Sequence, residues 1–190
     1  FSVFIEFDKA GKALKWEIVD TIISSKARLT YEQVQSFFDG EKAASIPREV
    51  GENLRVAREL AQLLSQRRFA EGSLDFDLPE SKIVLNDSGE VIELGHRVRL
   101  ESHRLVEEFM LAANRAVALE VFRLAQPFLY RVHDRPDHEK VEAFSYLMGR
   151  LGQKFPVSPN LKPIHFARFL KSVEKLPEAD FINELLLRSM

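Results

Sequence analysis

The chain has 190 residues, 45% of them hydrophobic, with 27 basic and 29 acidic side chains and a formal net charge of -2, enough for one ordinary core. It contains no cysteine, which excludes disulfides, thiolate zinc sites and a cysteine nucleophile, and its balanced charge leaves nucleic-acid binding to a local channel of arginines and aromatics. No apolar run approaches the roughly 18 residues that would span a bilayer and nothing resembles a secretory signal, so the expectation is a soluble, cytoplasmic chain without a membrane partner.

Taken in chain order, SVFIEFD and ALKWEIVDTII flank the turn-rich DKAGK, so residues 2–23 predict a β-hairpin. The chain opens inside an alternating strand without an initiator methionine, which reads as an excised piece whose first strand lacks a neighbour. Thr30 precedes YEQVQSFF with Gln33 placed for a capping box, and Asp39-Gly40 ends that helix. Tyr31 therefore stands where the helix begins. Leu54, Ala57, Ala61 and Leu64 form the apolar stripe of a longer helix ending near Arg67-Arg68. LDFDLPESKIVLNDSGEVIEL then reads as strand and hairpin around Asp87-Ser88-Gly89.

A long helix follows, carrying LVEEFMLAANRAVALEVF over residues 105–122. At about 100° per residue, Val106, Phe109, Met110, Ala113 and Val117 share one face, widened by Leu105, Ala112, Ala116 and Leu119. Glu108 is expected on the opposite side, in water with Arg104 and Arg115. Glu107 lies on a flank near Met110 and Leu111, in line with His103 and Asn114, where a carboxylate is partly buried and needs a partner. His103 one turn back, a backbone donor or a ligand hydroxyl could each serve. PFLY reads as a short strand, and DRPDHEKVEAFSYLMGRLG as a helix capped by Asp137 and stopped at Gly152. A linker, PVSPNLKP, leads to two amphipathic segments, one from near Pro163 with Phe166, Phe169, Leu170 and Val173, the other from Phe181 to the end. Hairpins interspersed with helices predict an α+β fold.

No self-contained active site emerges from the residues. His96, His103, His133, His138 and His165 lack the HExxH spacing of a helical zinc site. GxGxxG, Walker and GxSxG patterns are absent. The HDRPDH stretch is explained by acids at a helix N-terminus. Arg67, Arg68, Arg97, Arg99 and Arg104 could meet phosphates, but scattered arginines are commonly just solubilising.

Read together, SSKARLTYEQV (24–34), ESHRLVEEFMLAAN (101–114), PFLYRVHDRPDHEKVEAF (127–144) and the terminal LLLRSM resemble the RNB catalytic domain of the ribonuclease II and ribonuclease R family, in family order and at family-like spacing, with the ribonuclease R branch the closer match. The resemblance covers nearly the whole chain, and EEFM with its Asn is its most specific part. It implies a processive, hydrolytic 3′→5′ exoribonuclease that degrades single-stranded RNA to 5′-nucleoside monophosphates with Mg2+ held by clustered aspartates. It also implies that those aspartates lie upstream of residue 1, and a catalytic Ser-Pro-Ile-Arg stretch downstream of residue 190. Residues 1–190 would then be the central portion of one RNB-like domain truncated at both ends. Such a chain has no catalytic or metal-binding residue of its own, binds no cofactor alone, and has as partners single-stranded RNA and the remainder of the parent nuclease. By the same resemblance Tyr31 and Glu107 match residues that recognise ribose near the RNA 3′ end, and Phe76 in LDFD matches an aromatic that stacks on terminal bases. A fixed carboxylate accepts from a 2′-hydroxyl that deoxyribose lacks, which moves Glu107 from the His103 pair to ribose recognition. The alternative is a non-catalytic RNA-binding or scaffold domain on the same fold, and the sequence upstream of Phe1 would decide between them.

Overall fold

A computed structural model describes residues 1–41, 46–76, 80–132, 135–158 and 160–190, with the side chains of 80–82, 96 and 97 outside that description. Among these, the order is β1 (Ser2–Phe7), β2 (Ala13–Val19), α1 (Tyr31–Phe38), α2 (Arg48–Ala70), β3 (Glu80–Leu85), β4 (Val91–Arg97), α3 (Glu101–Arg123), α4 (His138–Arg150), α5 (Pro163–Val173) and α6 (Ala179–Ser189). The two sheets are each a two-stranded antiparallel hairpin, and the fold is α+β, as the element pattern predicts. Among the described residues no helix is long and apolar enough to cross a membrane. The chain divides into two compact units, Phe1–Arg67 with Val98–Tyr130, and Arg68–Arg97 with Arg131–Met190.

In the first unit β1 pairs with β2 in the register Phe4↔Glu17 and Ile5↔Trp16. The connection is built by Asp8, whose Oδ1 accepts from the amides of Ala10 (2.9 Å) and Lys12 (2.8 Å). Gly11 takes the left-handed φ of 72° that this turn requires. The Trp16 indole donates to Glu120 Oε2 at 3.0 Å, fastening the hairpin to α3. The capping box of α1 forms as the sequence predicts: Thr30 Oγ1 accepts from the Gln33 amide, and Gln33 Oε1 accepts from the Thr30 amide at 2.8 Å. The stripe predicted for α2 also turns inward, with Ala61 and Leu64 buried while Val56 is exposed.

The second unit holds the larger apolar core. Val141, Phe144 and Met148 of α4 meet Phe155 and then Phe166, Phe169 and Val173 of α5 and Ile182 and Leu186 of α6. Each of these fully buried side chains contributes roughly 1.5–3 kcal/mol relative to exposure. Phe155 stands edge-on to Phe144 (5.2 Å) and Phe169 (5.0 Å), a preferred aromatic geometry, and the Ser145 hydroxyl donates to its carbonyl at 2.8 Å. Asp137 caps α4 through the Glu139 amide, and Gly152 beyond its end has a φ of 72°, both as predicted. His133 and Asp134 of the HDRPDH stretch lie outside the described residues, as do the last residues of LDFDLP, 77–79.

Two readings of local structure need correction. PFLY is not a strand: residues 127–130 make no ladder, and Leu129 is almost wholly exposed. Apolar character without a partner strand does not fix an extended segment into a sheet. The second concerns the phase of α3. Val106, Met110 and Leu119, assigned to its inward side, are exposed, whereas Ser102, Glu108 and Ala116 are buried. The small residues Ala112 and Ala116 allow close approach on that side, and α3 packs against α1 and β1 in the first unit. Glu108 falls on the line of Leu105, Ala112 and Ala116, at spacings of three and four residues, so it is carried inward with them.

Candidate nucleic-acid interface

The candidate residues of the first unit gather where α1 begins and α3 takes its first two turns. Tyr31 is the first residue of α1, fixed by the Thr30 cap, and remains 40% exposed. Its ring lies against the His103 imidazole with centroids 4.1 Å apart and planes 31° apart. His103 is also a helix cap. Its Nδ1 accepts from the Leu100 amide at 3.1 Å, the part a Glu or Gln takes in a capping box. Since a backbone amide can only donate, Nδ1 carries no proton and Nε2 does. The same device recurs in α5, where His165 Nδ1 accepts from the Lys162 amide at 3.0 Å.

Glu107 lies one turn after His103 and is about one-third exposed. It pairs with Arg99, just ahead of the helix, at 2.5 Å between Nη2 and Oε2. A guanidinium two turns back thus holds it, a partner that was not among the three candidates named for it. A carboxylate offers about four acceptor positions, and the Arg99 guanidinium takes one of them.

Beside this lies a cleft of about 440 Å³ between α2 and α3, lined by Arg58, Gln62, Arg99, Glu101, Arg104 and Glu108 among others. Arg58 is its organiser. Its Nε donates to Glu101 Oε1 at 2.9 Å and its Nη2 to Oε2 at 2.5 Å, a two-pronged pairing. Its Nη1 reaches the Phe38 carbonyl at 3.3 Å, and its guanidinium covers the Phe38 ring at 4.7 Å. Gln62 donates to the same Glu101 at 2.6 Å. The Arg58 guanidinium, followed by Gln62, holds the Glu101 carboxyl below its ordinary value against the opposing effect of burial. Glu108, buried to 5% exposure, lines the cleft together with Arg58, Arg99 and Arg104. Expected to be an ordinary solvated side chain, it is the most enclosed acid of this site.

Phe76 belongs to the second unit. It is half-buried and packs against the core formed by α4, α5 and α6, so packing alone accounts for an aromatic there. Phe69, from the last turn of α2, lies under the Arg68 guanidinium at 4.7 Å.

Sequence reasoning missed Arg58, His103 as a cap, and Glu108. A usable signal existed for the last: Glu101, Leu105, Glu108 and Ala112 recur at four and three residues, a helical seam in which two of the members are acidic. Among the described residues no three His, Asp or Glu side chains converge to hold a metal ion. The described residues therefore do not match the pair of divalent cations that hydrolytic phosphodiester chemistry uses.

The RNB domain model matches residues 1–190. Ribonuclease R of Aquifex aeolicus is 36% identical over 192 residues, covering 100% of this chain and 27% of that protein. Ribonuclease R of Thermotoga maritima is 32% identical over 191 residues with the same coverage. The chain thus spans about a quarter of the length of these relatives. Mycoplasma genitalium RNase R, solved in its apo form and in complex with ribose-methylated single-stranded RNA, superposes with a TM-score of 0.93 at 25% identity, covering 97% of this chain and 29% of that one. A match running from the first residue to the last, on a backbone shared with a ribonuclease R, means that this chain belongs to the RNB domain family.

Proposed function

We propose that this chain is the central portion of the catalytic domain of a processive, hydrolytic 3′→5′ exoribonuclease that degrades single-stranded RNA to 5′-nucleoside monophosphates. In this reading it supplies wall to the RNA channel and reads the sugar near the 3′ end, while Mg2+ and the groups that hold it come from other segments of the parent nuclease. Two side chains carry the sugar reading. Tyr31 offers an exposed ring edge, and Glu107 a carboxylate that accepts the ribose 2′-hydroxyl and has nothing to accept from deoxyribose. Phe76, with part of its ring in solvent, stacks on a terminal base. The observation that supports this best is that both candidates neighbour His103, Tyr31 by ring contact and Glu107 by one helical turn. Two positions far apart in sequence thereby serve one neighbourhood.

The test is cleavage, by the full-length nuclease carrying this chain, of matched oligonucleotides with one deoxynucleotide at successive positions from the 3′ end. Glu107→Ala should lower the preference for ribose by about fivefold to 100-fold, the worth of one hydrogen bond lost in a dehydrated site. All-RNA cleavage should continue. Tyr31→Ala should act in the same direction and less than additively with it. Arg115→Ala, an exposed position on the same helix, is the control. An unchanged sugar preference in both Glu107→Ala and Tyr31→Ala removes ribose reading from this neighbourhood.

A further inference from the structure

Neither Tyr31 nor Glu107 is held in place by its own helix alone, and what lies between them is a histidine that the sugar-reading scheme does not use. His103 is fixed at one end and loaded at the other. Its Nδ1 accepts from the Leu100 amide at 3.1 Å, which locks the ring about its own axis and the start of α3 with it. The Tyr31 ring rests on that locked plane at 4.1 Å and 31°, the closest ring pair among the described residues, the others standing 5.0 Å or more apart. A second tie joins the same two helices, the Ser102 amide donating to Gln35 Oε1 at 3.2 Å. With 40% of Tyr31 exposed, the imidazole covers part of the phenol ring and leaves the rest available. Glu107 rises from α3 one turn beyond His103, and its carboxylate is turned to Arg99.

We infer that His103 is a positioning residue for ribose discrimination, a capped imidazole platform that sets the angle of the Tyr31 ring relative to Glu107. This rests on the reading of Tyr31 and Glu107 as the sugar-contacting pair. His103 touches neither the reacting phosphate nor the sugar. Its effect runs through Tyr31, so it governs how well ribose is told from deoxyribose rather than how fast RNA is cut.

Two substitutions separate the platform from the cap. His103→Phe keeps a flat ring under Tyr31 and loses the acceptor for the Leu100 amide. His103→Asn keeps a short acceptor for that amide and loses the ring. Both would be made in the full-length nuclease and assayed on matched all-RNA and single-deoxy oligonucleotides, with urea unfolding followed by far-UV circular dichroism as the measure of fold. His103→Asn should keep near-native stability and all-RNA cleavage while the ribose preference falls about threefold to tenfold, the usual worth of an aromatic pair. His103→Phe should unfold at lower urea yet keep the ribose preference. If His103→Asn does not fold, His103→Gln replaces it on the same readouts. The inference is overturned if both variants keep the preference, if both lose it, or if stability and preference fall together in each. Tyr31→Ala and Glu107→Ala in the same assay distinguish the two levels. If they relax sugar choice and the His103 variants do not, only the platform fails. If they too leave it unchanged, the underlying ribose reading fails.

Discussion

Arg58 joins three helices through one side chain, and its removal gives the sharpest test of how the first unit is held together. Two charge-assisted bonds link it to Glu101. In a dry interior each would be worth about 1.5–3 kcal/mol, but the two side chains are 35% and 29% exposed, and solvent screening brings the pair down to about 1–2 kcal/mol. The guanidinium over Phe38 adds about 0.5–1 kcal/mol, and the bond to the Phe38 carbonyl about 1 kcal/mol. Arg58→Ala should therefore cost about 2–4 kcal/mol, and the double-mutant cycle with Glu101→Ala should return a coupling of about 1–2 kcal/mol. The chain has a single tryptophan, and Trp16 lies in the first unit, so urea unfolding followed by its emission reports that unit separately from the other. With a denaturant slope of about 1–3 kcal/mol/M, the midpoint should fall by about 1–2 M. An unmoved midpoint, or a cycle in which the two effects simply add, would refute the assignment of Arg58 as organiser. The same pair sets an acid dependence. The folded carboxyl of Glu101 is held below its ordinary value, so its contribution is complete above the unfolded value of about 4.3 and disappears as pH falls through the lower, folded value. Between wild type and Glu101→Gln, the difference in midpoint should be constant at neutral pH and shrink only in that acid range.

Three further outcomes are expected. Gly72→Ala should destabilise the second unit by at least about 2 kcal/mol, because Gly72 has a φ of 102° and an added Cβ would lie 2.6 Å from the Ile164 amide nitrogen; a far-UV melt indistinguishable from wild type would contradict that contact. Phe76→Ala should both lower the stability of the same unit by about 1–3 kcal/mol, because the ring packs on its core, and lengthen the final undegraded RNA product of the full-length nuclease through the lost stack; a stability loss with an unchanged end product would leave the ring a packing role alone. The isolated 190-residue chain should release no mononucleotides from RNA with magnesium above a no-protein control, and release at a significant rate would show that it carries its own metal-dependent site.

The parts of the fold that were legible in the sequence are those set by local chemistry. Thr30 with Gln33, Asp137, the Asp8 turn and the glycines at 11 and 152 each act within about five residues, so their geometry is written where they stand. The cores of α4, α5 and α6 were legible for a related reason: Phe166, Phe169 and Val173 keep helical spacing, and a strongly one-sided helix has one way to bury itself. PFLY failed the other way. Its apolar residues suit a strand, but a strand exists only through a partner that is remote in sequence, and local composition says nothing of whether one is present.

The phase of α3 shows why the site was harder to read than the fold. Ranking by bulk selects Val106, Met110 and Val117, which centre about a third of a revolution away from the line of Leu105, Ala112 and Ala116 that turns inward. Alanines contribute little to a hydrophobicity count, yet small residues are what allow elements to pack closely. A helix with bulky residues on one side and alanines next to them therefore has two plausible inner faces. The choice between them decides Glu108. With the alanine side inward, Glu108 is enclosed and lines the cleft with Arg58 and Arg104, while Glu107, on the line of His103, is partly buried as expected and tethered by Arg99. The sugar reading proposed for Glu107 therefore uses a partly buried carboxylate with a fixed partner. That tether has a consequence for mutagenesis: Arg99→Ala should leave Glu107 present without this ion pair, reducing ribose preference by less than Glu107→Ala does, and an effect larger than that of Glu107→Ala would mean that Arg99 itself contacts the RNA.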